Sequence, residues 1–126
     1  MLTALPFLLL AAATRVDDHY TPAFEACLAS GAAAQTQTAA QVACDRDELA
    51  RQDRLLNAAY RDVMNRRSGA EQAELRREER AWIAQRDRIC GAAYRQEGGT
   101  IDQVLGADCV LAETTKRRIY LENLDH

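Results

Sequence analysis

The chain has 126 residues and four cysteines, and its 19 acidic against 16 basic side chains leave a formal net charge of −3. A length of this order holds one domain. The arginines alternate with Asp and Glu instead of forming a stripe, which argues against nucleic acid or an anionic membrane surface as a partner. Ala, Leu, Arg, Glu and Gln dominate, and Val and Ile never alternate with polar residues, so the composition predicts an all-α fold.

Residues 2–13 are apolar or small, broken only by Thr3 and Pro6. That run is too short to cross a bilayer, which takes ~20 residues. It suits the hydrophobic region of a secretory signal, and Ala11, Ala12 and Ala13 offer a small-residue cleavage site. Cleavage is expected after Ala13, leaving residues 14–126 as one helical domain without a membrane span, in the periplasm or secreted.

Pro22 can open a first short helix, which carries Phe24, Cys27 and Leu28 and ends near Ser30 and Gly31. Residues 32–37 read as a connecting loop. A long second helix is predicted over residues 38–67, with Val42, Leu49, Leu56, Tyr60, Val63 and Met64 at helical spacing. Asp47 with Arg51 and Asp62 with Arg66 add exposed i,i+4 pairs. Ser68 and Glu71 form a capping-box signature for a third helix reaching about Tyr94, with Leu75, Trp82, Ile89, Cys90 and Ala93 inward. Gly98 and Gly99 interrupt the pattern, and Thr100 with Gln103 repeats the capping signature. A fourth helix over residues 101–123 carries Val104, Leu105, Val110, Leu111, Ile119 and Leu121. Short turns between long helices predict a small antiparallel bundle of about four helices.

An exported chain of this size uses cysteines as cross-links. Four cysteines allow three pairings. The local pairs, Cys27 with Cys44 and Cys90 with Cys109, are expected because each closes one helical hairpin, and each bond is worth about 2–4 kcal/mol. A zinc site or reactive thiol lacks CxxC spacing and nearby histidines. His19 and His126 are the only histidines, and both lie close to the ends. There is no HExxH and no phosphate-cradling glycine motif, and Glu78 and Glu79, being adjacent, point to different helix faces. The chain reads as a non-enzyme with no cofactor and no metal.

Leu56, Asn57 and Tyr60, followed by Arg80, Ala81, Trp82, Ile83, Arg86, Asp87 and Cys90, then Gly98, Gly99, Thr100, Cys109, Thr115, Arg118 and Leu121, resemble the LprI-like family of small exported bacterial domains, named for a lysozyme inhibitor. The resemblance covers nearly all of residues 14–126. It implies a disulfide-bonded helical bundle of the cell envelope that inhibits lysozyme. The family usually has Gln where this chain has Glu79, a change expected to alter hydrogen bonding beside Trp82.

Trp82, Arg86 and Cys90 stand at i, i+4 and i+8 and share a helix face. Arg86 is therefore expected at the core or its edge, with Asn57, Glu79, Asp87 or Asp108 as acceptors, and Trp82 in the core. Arg118, a turn after Thr115, is expected to be structural near a helix C-terminus. The turn of Glu97, Gly98, Gly99 and Thr100 is the candidate partner contact, because its glycines permit a protruding tip; residues 31–38 form a second candidate loop. The expected partner is a protein, a lysozyme or related cell-wall hydrolase whose cleft the bundle blocks. The alternative is a periplasmic adaptor module that inhibits no hydrolase.

Overall fold

The computed structural model describes residues 15–125; the expected signal segment and His126 lie outside them. A 3-10 turn, Val16–His19, leads into five α-helices: α1 Pro22–Leu28, α2 Gly31–Ala34, α3 Thr38–Asn65, α4 Gly69–Ala93 and α5 Ile101–Asn123. No strand occurs among the described residues. The expected all-α bundle is present, with one helix more than foreseen. The extra one is α2, in the segment read as a loop. Its Ala-rich sequence takes a single helical turn because Ala33 is buried beside Phe24 and Cys44.

The three long helices run antiparallel in sequence order, so α3 and α5 are parallel. Cys44 clusters with Leu111, Gln52 meets Arg118, and Arg67 just beyond α3 meets Asp125, numbers that rise together. Against α4 they run oppositely: Cys90 joins Cys109, Arg86 reaches Thr114 and Glu79 meets Arg117. α5 packs closely along both α3 and α4, whereas the backbones of α3 and α4 stay farther apart and meet through side chains, Leu56, Ala59 and Val63 against Leu75. α5 is thus the shared wall of the bundle, and α4 leans away from α3.

The buried stripe of α3 runs Asp45, Glu48, Gln52, Leu56, Ala59 and Val63, with spacings of 3 or 4. Its second half is apolar and packs with Leu75 and Leu121 into one cluster. Its first half is polar, which the apolar pattern did not foresee, and every burial there needs partners. Glu48, fully buried, accepts from Thr21 N at 2.9 Å and Thr21 Oγ1 at 2.8 Å, and from Arg51 Nε at 3.0 Å. Arg51 therefore turns to Glu48 and not to Asp47. Gln52 donates to the His19 carbonyl at 3.1 Å and accepts from Arg118 Nε at 2.7 Å. Arg118 also bonds Glu122 at 2.7 Å and the His19 carbonyl at 3.3 Å. This network ties the 3-10 turn to α3 and α5.

Both expected disulfides form, Cys27–Cys44 and Cys90–Cys109. Ser68 caps α4 as predicted, in a reciprocal box with Glu71. The second capping box does not form. Thr100 is already helical (φ −62°, ψ −24°) and its side chain caps nothing; Asp102 does the work instead, from inside the helix. Ile89, expected inward, is exposed because the inner face at that level is taken by Cys90. Arg66 reaches Asp125 at 3.7 Å, and no ion pair joins it to Asp62.

Candidate functional site

Because α3 and α4 diverge, a groove of about 310 Å³ opens between them. Its α3 side presents Asp53, Asn57 and Tyr60, and its α4 side Glu79, Trp82 and Arg86. Four residues singled out in the sequence, Asn57, Tyr60, Trp82 and Arg86, therefore come together, although 29 positions separate the first and last. Leu55 and Ile83, 42% and 40% exposed, add apolar surface on the same two helices.

Trp82 is half-buried at the edge of the core: it packs against the cluster of Leu56, Ala59, Val63, Leu75 and Leu121 and has two guanidiniums near its ring. Arg86 Cζ stands 5.2 Å from its ring centroid and Arg117 Cζ 5.8 Å, with Arg117 also 4.8 Å from the Tyr120 ring. Contacts of this type are worth about 0.5–2 kcal/mol each. Arg117 Nε donates to Glu79 Oε2 at 2.9 Å, and both side chains are nearly buried. The Glu79 carboxylate thus holds the second guanidinium beside Trp82. Arg86 sits at the core's edge. Of the four acceptors considered, it takes Asp87, at 3.1 Å, and it also points Nη1 at Thr114 Oγ1 at 3.5 Å. Burial raises the Asp53 carboxyl above its ordinary range, and the Arg86 charge partly offsets this.

The remaining candidates lie elsewhere. Arg118 and Thr115 are buried in α5, where Thr115 donates to the Leu111 carbonyl at 2.8 Å. Glu97, Gly98, Gly99 and Thr100 form a wholly exposed tip at the far end of α4. Asp102, 4% exposed, accepts from Glu97 N and Gly98 N, each at 2.8 Å, and Gly98 adopts φ +82°, where a side chain would be strained. With Cys90–Cys109 closing its base, the tip has a fixed backbone.

Glu79 and Arg117 were not foreseen as a pair, being 38 positions apart on helices whose register only the fold sets. The available signal was Glu79, Trp82 and Arg86 at i, i+3 and i+7, one face of one helix. Among the described residues no three His, Cys, Asp or Glu side chains converge in a metal-holding cluster.

These features define a small disulfide-stapled helical domain that carries a surface groove and a rigid tip. The chain belongs to the LprI family: the family model described as "Lysozyme inhibitor LprI" matches residues 27–121, from the first cysteine to the buried Leu121 of α5. No curated protein and no solved structure matches the chain.

Proposed function

We propose that this chain is an exported cell-envelope protein, a binding protein and not an enzyme, that docks on a lysozyme-type cell-wall hydrolase and blocks its cleft. The observation that carries this reading is the family match, which spans both disulfides and the tip between them. The geometry supports it. A cleft-blocking tip must enter without losing much conformational entropy on binding, and the turn at Glu97, Gly98, Gly99 and Thr100 is already held by Asp102 and Cys90–Cys109. No helix of the described residues is long and apolar enough to cross a membrane.

The test is titration of oxidised protein into lysozyme digestion of purified cell wall, beside the Gly99→Trp variant. A side chain at Gly99 meets nothing within 4 Å, so this substitution alters the tip and leaves the fold intact. Saturable inhibition by the wild type, weakened about tenfold or more in the variant, is the expected result. Inhibition untouched by Gly99→Trp would move the docking surface off the tip. Absence of inhibition across several lysozymes would favour the adaptor reading, for which the α3–α4 groove, with Trp82 beside two arginines and Ile83 exposed at its edge, is the supporting observation.

A further inference from the structure

A larger cavity, about 520 Å³, lies at the opposite end of α3, bounded by the 3-10 turn, α1, α3 and α5. Its volume falls in the range of small-ligand sites, about 300–1,000 Å³. Phe24, Leu28, Val104 and Leu111 make its apolar lining; Asp17, Glu25, Asp45 and Asp108 line it with carboxyls, beside the neutral Tyr20 and Gln41. No Lys, Arg or His lines it.

An acidic cluster alone signals little, since solvated carboxylates are common. Here one member is different. Asp45 is 3% exposed, yet its Oδ2 meets no hydrogen-bond donor among the described residues. The Asp108 carboxyl from α5, itself exposed, lines the same cavity, and burial together with this neighbouring acid raises the Asp45 carboxyl above its ordinary range. Two carboxyls in that position need a proton or another positive charge between them. The protein supplies no cation on the cavity side. Arg46 and Tyr94 border Asp45 only on its other flank, across a separate cleft of about 100 Å³. Glu48, the remaining nearby carboxylate, is already held by Thr21 and Arg51. The Tyr20 phenol, which lines the same cavity, is raised well above its ordinary range, first by burial and then by the charges of Asp17, Asp108, Asp45 and Glu48.

We propose that this cavity binds an organic cation on an apolar stem, an alkylammonium or alkylguanidinium, with its head against Asp45 and Asp108 and its stem along Phe24, Leu28, Val104 and Leu111. The chemistry is shared by free amines and by a Lys or Arg side chain of a docking protein. Only two carboxyls converge at the head position, and no metal-holding group forms among the described residues, so the fit is to a ligand that brings its own stem. The cavity lies apart from the tip, and the proposal stands whether or not the protein inhibits a hydrolase.

Binding replaces the proton held between the two carboxyls by the ligand's fixed charge, so one proton leaves for each cation bound, and affinity rises with pH through the neutral range. The experiment is a titration of the oxidised protein with pentylammonium, followed by amide and carboxyl NMR shifts, with pentanol as the uncharged control. Expected are saturable shifts at residues 24, 45 and 108, binding about a hundredfold or more tighter at pH 8 than at pH 5, as one proton released per cation requires, and none of this with pentanol. The Asp45→Asn/Asp108→Asn double variant, which keeps side-chain shape, should lose about tenfold or more in affinity while its helical circular dichroism is retained. Equal binding of pentanol, pH-independent binding, unchanged affinity in the double variant, or no saturable shift would each overturn the proposal. A parallel titration with acetyl-Gly-Lys-Gly-amide separates the sources: tighter binding of the peptide assigns a protein side chain, tighter binding of pentylammonium a free amine.

Discussion

At the scale of single residues, the polar half of the α3 stripe sets the protein's sensitivities. Burial and the neighbouring Asp108 push the Asp45 carboxyl up to about 8, so the folded state keeps a proton that the unfolded chain releases near its ordinary value of 3.8. The contribution is therefore present below about pH 4 and lost as pH rises through about 8. Asp45→Asn should leave the melting temperature unchanged near pH 4 and raise it increasingly toward pH 8; a pH series of thermal melts on both proteins checks this. Arg118 has the opposite character. Arg118→Ala strands the buried Gln52 side-chain oxygen and removes one of the two donors to the His19 carbonyl, and should destabilise by about 3 kcal/mol in urea unfolding. None of these roles was legible as geometry in the sequence. Asp45, Glu48 and Gln52 look like solvent-facing residues until one sees that they continue the spacing of Leu56, Ala59 and Val63. Arg118 was read as structural from its place on the helix, but its partners lie 66 and 99 positions away.

At the scale of elements, helix limits followed from local chemistry wherever a local signal decided them. Ser68 with Glu71 marks the start of α4 because both halves of the capping box lie within four residues. The same signature at Thr100 failed because Thr100 itself takes helical angles, not the extended ones a cap needs, and Asp102 instead holds the preceding turn at Glu97 N and Gly98 N. α2 was missed because its stability comes from Ala33 packing on residues of α1 and α3. The contact between α4 and α5 gives a paired prediction. A side chain at Gly106 would collide with the Tyr94 ring, and Cys90–Cys109 prevents the helices from separating to admit it. Gly106→Ala should cost about 1–3 kcal/mol. At Gly91 an added methyl meets only ordinary contact with the flexible Arg95, so Gly91→Ala should stabilise by about 0.5–1 kcal/mol. Chemical denaturation of the two variants, measured together, separates close approach from helix propensity.

At the scale of the whole molecule, the two disulfides join different parts of the structure. Cys27–Cys44 fastens α1 to α3, whereas Cys90–Cys109 closes the α4–α5 hairpin beneath the tip. Replacing Cys90 and Cys109 by Ser should lower stability by about 2–4 kcal/mol. Amide exchange should accelerate first at residues 94–100, leaving the α1–α3 region protected. Both pairings were readable from spacing alone, since each hairpin is local. The groove was not, because it depends on how far α4 leans from α3, and no local sequence feature encodes that angle. The family match covers every long helix and both bonds, so the architecture holds across the matched region. The sharing of α5 by both other long helices also bears on when the chain can fold. The last long helix in the chain is the one along which the other two pack most closely, so a chain ending before residue 100 lacks Leu111 and Leu121 from its two apolar clusters and Cys109 from its second disulfide. Completion of both clusters and of the second cross-link waits on α5.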